Sequence, residues 1–590
     1  MKILWILSVG LLALLARLAE VEAQTTCGSR LRKDWDMMTA TEKTTYRNAI
    51  AAAMDSGDYI KFVEMHTEMR SEMEAHRQCM FIYWHRLLLV AFENMLRGQG
   101  AAYACVTVPY FNWIVASARV TAGTCRSFAD CLAITRELGG STSGVQRTLA
   151  INGINNSGRC VNASPLDHFC QLSSTTGSAC ARCVPRSDWS AARVPSTTSY
   201  ASVRQQVFNG RNIGEMSPLI ERGCHNNVHA NLASTMGTFA SPADPIFWSH
   251  HAMVDMLHVV FHKCRVGTAR LTFAQKASNP VAWTSCARRD TGTFRPTDVI
   301  TMRTGERGVN PIPGATDPKI GKYFTGVPNQ FAGLMDVRDL GASSYGYYIS
   351  GQVATMYNQC DASPTSRKLE EASTKSAKKP KMCGMNHDDG YDPDGNDYAS
   401  QNNFPETDYT GQEDGHQDIV VVDNSGKPID ANTPIDDYAS DDEKRVIDWY
   451  DQTIDAMGGD SHENMADLER QACMFEHVCL GGTQDYSPEF KAIWKVKEPR
   501  CKTIVDAIVN GSQTIIYDSW REDMEATFGC PEPADSTNTS SHSGSWSSSD
   551  DGTVSFPVGS REFGDNSNDT IEFPDDGGVV VVTTGSTWDL

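Results

Sequence analysis

Seven of the 15 histidines fall in two short stretches. One, HNNVHANLASTMGTFASPADPIFWSHHAMVD, runs from His225 to Asp255 and holds His225, His229 and the pair His250-His251. The other, EMHTEMRSEMEAHRQCMFIYWHRLLLVAFENML, holds His66, His76 and His85. Neutral imidazole nitrogens suit copper, zinc, iron and nickel alike. Three of them on one ion leave positions open for a substrate or a small molecule. A lone histidine is more often a hydrogen-bonded core or surface residue than a ligand. Two sets of three, each tied to an apolar helical segment, point instead to two metal sites.

Such nitrogens need rigid carriers. His225 and His229 stand four apart, so on a helix they project from one face. Tyr59 to Arg70 reads as a helix carrying His66, and a less regular piece carries His76. Phe81 to Leu96 reads as a strongly apolar, buried helix carrying His85, ended by Gly98-Gln99-Gly100. From Pro245 onward a further helix sets His251, Asp255, His258 and His262 along one face. Helix neighbours point about 100° apart, so His250 and His251 are not both expected on one ion. The fold class expected is mainly α: a central helical bundle around the metal site, long disulfide-tied loops, and a small C-terminal helical domain.

The two stretches resemble the copper motifs of the type-3 dicopper proteins: tyrosinases, catechol oxidases and haemocyanins. In that family the first motif has two histidines nine apart, the later one in W-H-R-x-x-L-L-x-x-F-E. Here His76 is followed by Trp84-His85-Arg86 and Phe92-Glu93. The second motif reads H-N-x-V-H, then S-P-x-D-P-I-F-W-x-H-H-x-x-x-D. Here it is His225-Asn226-Asn227-Val228-His229, then Ser241 through Trp248, His250-His251 and Asp255. Val106 to Trp113 resembles the aromatic segment after the first copper helices, and Tyr345-Gly346-Tyr347 the Y-x-Y near the end of the core.

The resemblance implies two copper ions, one held by His66, His76 and His85, the other by His225, His229 and His251. His250 would line the site. Phe247 matches a phenylalanine packed over the ligands, and Asp255 a carboxylate supporting them. Asn226 follows the first histidine of the second motif, as it often does in members that hydroxylate monophenols. There it helps a glutamate hold a water that deprotonates the phenol; Glu215 and Glu221 are the upstream candidates. Asn226 and His250 are therefore the expected catalytic side chains. The implied activity hydroxylates monophenols to o-diphenols and oxidises these to o-quinones with dioxygen. The alternatives are a catechol oxidase without the first step, or haemocyanin-like oxygen binding. One departure stands out. Many relatives carry C-x-H, whose cysteine crosslinks the middle histidine of the first site. Glu74-Ala75 precede His76 here, and Cys79 is expected in a disulfide or buried.

The remaining chain frames this core. Residues 1–23 read as a secretory signal, with Lys2, an apolar run and Val21-x-Ala23. Eighteen cysteines, an even number, agree with export and pairing. Sequons at Asn155, Asn162, Asn510, Asn538 and Asn568 agree with glycosylation. The expected location is extracellular, with small phenols and dioxygen as partners, and no membrane. The formal net charge is -21, yet between Gly384 and Glu443 17 acidic residues stand against one basic, Lys427. Acidity therefore marks a linker, and it argues against nucleic-acid binding. The boundaries expected are a dicopper domain over 24–355 and a linker over 356–440, basic from Arg367 to Lys381 and then acidic. A small cysteine-containing helical domain follows over 441–530, then a Ser/Gly/Asp-rich tail over 531–590. Residues 116–200 read as loops with short helices. In the fungal relatives that the chain resembles, a C-terminal domain covers the site until a linker is cut. The basic linker and compact cysteine-bearing segment here would suit such a latent proenzyme, the rival reading being an interaction or wall-anchoring module.

Overall fold

The structure, a computed structural model, describes residues 27–283, 286–361, 419–423, 425–429 and 433–530. The expected signal segment, the Arg367–Lys381 stretch and the tail lie outside these residues. The chain divides after Pro533 into two units, and all the described residues belong to the first.

Local signals set the carriers. Helix α1, Ala40–Ser56, begins at a capping box formed by Thr39 and Glu42 and ends at Gly57, whose φ is 73°. Helix α2, Tyr59–Thr67, stops one turn earlier than its apolar pattern suggests. Glu68 adopts extended backbone there and caps α3, Met69–Ala75, by accepting from the Ser71 amide. Helix α4, Phe81–Arg97, is buried on nearly every side. Next come α5, Trp113–Thr121; α6, Tyr200–Phe208; α7, Ile213–Ile220; α8, Asn226–Leu232; and α9, Ile246–Arg265. Helix α10, Gly351–Gln359, closes the core. Among the described residues five more helices follow: α11, Asp441–Ala456; α12, His462–Cys479; α13, Pro488–Trp494; α14, Arg500–Val509; and α15, Trp520–Phe528. The architecture is mainly α, as expected, and no described helix is long and apolar enough to cross a membrane.

Helices α4 and α9 cross at the centre, joined by a buried ion network. Arg86, next to His85, donates Nε to Asp255 Oδ1 at 2.6 Å. Tyr345 and Tyr347 each donate their hydroxyls to Asp255 Oδ2 at 2.6 Å, and Arg32 adds a longer contact at 3.3 Å. Glu93 of α4 accepts from Arg32 at 2.9 Å and from Arg30, and neighbouring arginines hold its carboxyl down at about 2. The Y-x-Y motif thus fastens the end of the core to the helix that carries His251. Removing Asp255 would leave two buried guanidinium groups short of a partner. Asp255→Ala is expected to cost about 3–5 kcal/mol, read as a lower urea midpoint of the metal-free protein.

Two features differ from the expectation for residues 116–200 and for the linker. Strands β2, Val145–Ile151, β3, Ile154–Val161, and β4, Val184–Arg186, form an antiparallel sheet where loops with short helices were expected. The cause is local. Asn152 and Gly153 take φ of 44° and 89°, the left-handed pair that a two-residue hairpin demands. Cys160–Cys183 then ties β3 to β4. Beyond the core, α10 runs past residue 355, and Cys360 is bonded to Cys264. Strand β6, Ile419–Val421, pairs in parallel with β5, Gly346–Ile349, which pairs with β1, Leu31–Arg32. The expected linker therefore contains, before residue 440, an added strand on the core's own sheet.

Eight disulfides form among the described residues. Cys79 is bonded to Cys286, and Cys473–Cys501 and Cys479–Cys530 staple the C-terminal helices. Cys180 and Cys183 go to two different bridges, Cys170–Cys180 and Cys160–Cys183. The even cysteine count does not mean full pairing: Cys224 is a buried thiol.

Candidate metal centre

One ring nitrogen from each of His66, His76 and His85 lies within 4.8 Å of the others, and all three rings are buried. The same holds for His225, His229, His250 and His251. The two sets meet where His85 stacks on His251, ring centres 4.3 Å apart and 8° from parallel. Burial is the largest cause that lowers the proton affinity of every ring. It brings His66 to about 3 and His229 to about 4, and holds the others well below their ordinary value. All seven are therefore neutral at physiological pH, the state in which imidazole binds a metal.

Backbone carbonyls orient three of these rings. His66 Nδ1 bonds the Phe239 carbonyl at 2.7 Å, His85 Nδ1 that of Phe81 at 2.9 Å, and His229 Nδ1 that of Met236 at 2.6 Å. A carbonyl only accepts, so Nδ1 carries the proton and the lone pair sits on Nε2. The Nε2 atoms of His66, His85, His225 and His229 are buried without a partner. So are both ring nitrogens of His76 and His251. Orphaned buried acceptors are costly unless something fills them. A pair of metal ions fits this donor set.

The chain is bent to reach these positions. His225 belongs not to a regular helix but to a π-turn, Glu221–His225, that leads into α8. Even so, its ring centre stays 4.5 Å from that of His229. Gly223 leaves room there: an added Cβ would meet the Gln206 side chain at 2.2 Å and displace the Oε1 that accepts from the Cys224 amide. After His229, Ala233 and Ser234 both take φ of 49°, turning the chain so that the Met236 and Phe239 carbonyls face the site. Arg77, next to His76, is likewise left-handed at φ 57°. Its amide donates to Glu221 Oε1 at 2.6 Å. Such strained residues persist only where surroundings hold them, and here they lie beside the candidate ligands.

The other expected residues are found as follows. The Phe247 ring lies 4.2 Å from His251 and 5.1 Å from His66, packed over both sets. Asp255 touches no imidazole; its oxygens are taken by Arg86, Arg32 and the two tyrosines, so it supports the ligands only through the helices it joins. Asn226 does not cap a helix by its side chain. Its Oδ1 accepts from His225 Nδ1 at 2.9 Å and fixes that ring. The two glutamate candidates separate cleanly. Glu215 is exposed and occupied by the Arg211 amide and the Asn212 side chain at the start of α7. Glu221 is buried, and burial pushes its carboxyl up to about 7. His168, outside the clusters, pairs with Asp55 at 2.7 Å near the surface.

Trp494 has no signal in the sequence that tied it to the site. It ends α13, it is 2 % exposed, and its indole donates to the Gly237 carbonyl at 2.9 Å. Its ring centre lies 5.0 Å from His229, 5.2 Å from His76 and 5.8 Å from His225. Phe490 stacks behind it at 5.4 Å, and the Tyr486 hydroxyl accepts from Asn227 Nδ2 at 3.0 Å. An apolar residue at i, i+4 and i+8 from Tyr486 was readable as a stripe, but its partner surface was not.

Residues 56–263 match the family model described as the common central domain of tyrosinase. A tyrosinase of Streptomyces glaucescens is 30% identical over 253 residues, covering 41% of this chain and 86% of that protein. Tyrosinase P of Aspergillus terreus is 23% identical over 282 residues, covering 39% of this chain and 75% of that protein. Among solved structures, a polyphenol oxidase from Thermothelomyces thermophila aligns with 56% of this chain and 93% of its own at 18% identity and a TM-score of 0.35.

Proposed function

Because this chain belongs to the tyrosinase family of type-3 dicopper proteins, we propose that it is a secreted tyrosinase, made latent, that converts monophenols to o-diphenols and these to o-quinones with dioxygen. The reading is carried by the two facing sets of buried, neutral imidazoles with unpartnered nitrogens. His66, His76 and His85 would hold one copper, and His225, His229 and His251 the other. Two copper ions, when bound, supply the one-electron steps that couple dioxygen to a phenol. The protein's own part is to fix ligand nitrogens, exclude water and handle the phenolic proton. Phe247 and the surrounding aromatic rings keep the space dry. Asn226 holds His225 in register, and Glu221 supplies a carboxylate whose proton affinity, raised by burial to about 7, suits a general base at neutral pH. Glu221 would take the phenolic proton from the substrate, which favours hydroxylation over catechol oxidation alone.

Latency rests on Trp494, whose ring fills the space in front of His76 and His229. Secretion rests on eight disulfides and on exposed sequons at Asn155, Asn162 and Asn510. Oxygen uptake by the copper-loaded chain, opened at Trp494, tests the reading with L-tyrosine and L-DOPA. Consumption of both is expected. Consumption of L-DOPA alone would make it a catechol oxidase, and reversible oxygen binding without turnover a carrier. Asn226→Ala should depress L-tyrosine turnover at least about tenfold more than L-DOPA turnover, given that a positioned base contributes about 10²–10⁴-fold.

A further inference from the structure

The second histidine set holds four rings where three suffice, and His250 is oriented differently from His225 and His229. His225 and His229 each turn Nδ1 toward an oxygen acceptor. His250 turns Nδ1 toward the Trp113 indole, at 3.2 Å from Nε1. An indole N–H can only donate. Nδ1 of His250 must therefore be bare, and the ring is neither protonated at that atom nor doubly protonated. Its one proton sits on Nε2, which is buried and has no partner.

Trp113 is held firmly in this role. It is fully buried and opens α5 behind Asn112, whose side chain donates to Asp34 at 2.8 Å. The Phe111 amide donates to the Ser249 carbonyl at 2.9 Å, one residue before His250, so the two segments are in fixed register. A metal bound at His250 Nε2 would move the ring proton to Nδ1 and set two buried donors face to face. The His250 ring lies nearly parallel to His225, centres 5.3 Å apart, and edge-on to His229 at 5.0 Å.

Resting on the dicopper reading above, we propose that Trp113 is a positioning residue that locks His250 as the Nε2–H tautomer. His250 is then not a fourth ligand of the second ion. It is a hydrogen-bond donor aimed at the phenolic oxygen of the bound substrate. Helix geometry in the sequence kept His250 off the ion and the family resemblance placed it in the site's lining as an expected catalytic side chain; the indole gives it a defined proton and hence a defined job.

Full-length protein labelled with ¹⁵N in the histidine rings tests this without metal. The signals lost in His250→Gln identify the residue. In the wild type they should show a bare Nδ1 and a protonated Nε2. In Trp113→Phe, which keeps an aromatic ring and removes only the donor, the same residue should become a mixture of tautomers. A wild-type His250 protonated at Nδ1, or at both nitrogens, overturns the proposal. Copper content gives an answer that does not need the tryptophan variant to fold. Copper-loaded His250→Gln should hold as many ions per chain as the wild type, and the loss of one ion overturns the proposal. A wild type that holds fewer than two ions would sink the dicopper reading instead, and the tautomer measurement would still judge Trp113.

Discussion

Trp494→Ala should raise L-DOPA oxidation by the copper-loaded, full-length chain about a hundredfold or more. Among the described residues the tryptophan is the one C-terminal side chain whose ring touches three candidate ligands, His76, His225 and His229. Truncating a buried tryptophan costs about 3–5 kcal/mol. That cost falls only on the closed state, because an undocked tryptophan is already in water. At about 1.4 kcal/mol per decade, 3 kcal/mol raises the open fraction by more than two decades. Trp494→Phe keeps a ring and most of the burial, so its gain should be far smaller. Unchanged turnover in Trp494→Ala, with copper content intact, would show that the C-terminal helices do not gate the site.

The rest of the docking explains why a side-chain change is the sharper probe than a cut chain. Arg193 donates to the Gly482 and Leu480 carbonyls at 2.7 and 2.6 Å. Ser202 donates to Glu469 at 2.6 Å, and the Ser196 amide donates to Glu476 at 3.1 Å. Strand β6 adds main-chain pairing to β5. Among the described residues no disulfide joins the core to the C-terminal helices. A cut between Arg367 and Lys381 therefore removes the covalent tether but leaves every one of these contacts, whereas Trp494→Ala acts at the rings of His76 and His229 themselves.

The two histidine clusters were legible because their signal is chemical and dense. Imidazoles at i and i+4, and a W-H-R segment inside an apolar run, survive any uncertainty about helix ends. Helices α4 and α9 were legible for the same reason: their apolar positions are continuous and long. What the sequence hid depends on contacts far apart in the chain. The π-turn at His225 needs Gln206 beside Gly223, and the orientation of His66 needs a carbonyl 173 residues later. Asp255 read as a support for the ligands, and only its four partners reveal that it is a clasp between helices and the Y-x-Y motif. The sheet over 145–186 was readable from Asn152-Gly153, a hairpin signal outweighed by the Ser, Thr and Cys content around it. The choice between Glu215 and Glu221 needed burial, which spacing alone does not supply. Trp494 lies 265 residues from His229, the nearest in sequence of the three candidate ligands its ring touches, and no local pattern reports such a contact.

His85→Ala should cut oxygen uptake at least about a hundredfold, since perturbing even the groups that support a ligand costs about 10–100-fold. His85 is the ring where the two histidine sets touch. It is edge-on to His66 at 5.7 Å and to His76 at 5.1 Å, and stacked on His251 at 4.3 Å. Its Nδ1 is spent on the Phe81 carbonyl within its own helix, leaving Nε2 for the metal. Alanine removes that nitrogen and opens a void that neither His66 nor His76 can close, because their own carriers, α2 and the end of α3, are fixed elsewhere. Two nitrogens then remain for the first ion, and copper measured per chain should fall from about two toward about one. His168→Ala is the matched control. That ring is near the surface and paired with Asp55, so its loss should leave both copper and turnover unchanged. If His85→Ala keeps full copper and full oxygen uptake while the chain stays folded, the first site is not built from His66, His76 and His85. If copper instead falls to zero, the stacking on His251 couples the two ions so tightly that neither set holds its metal alone.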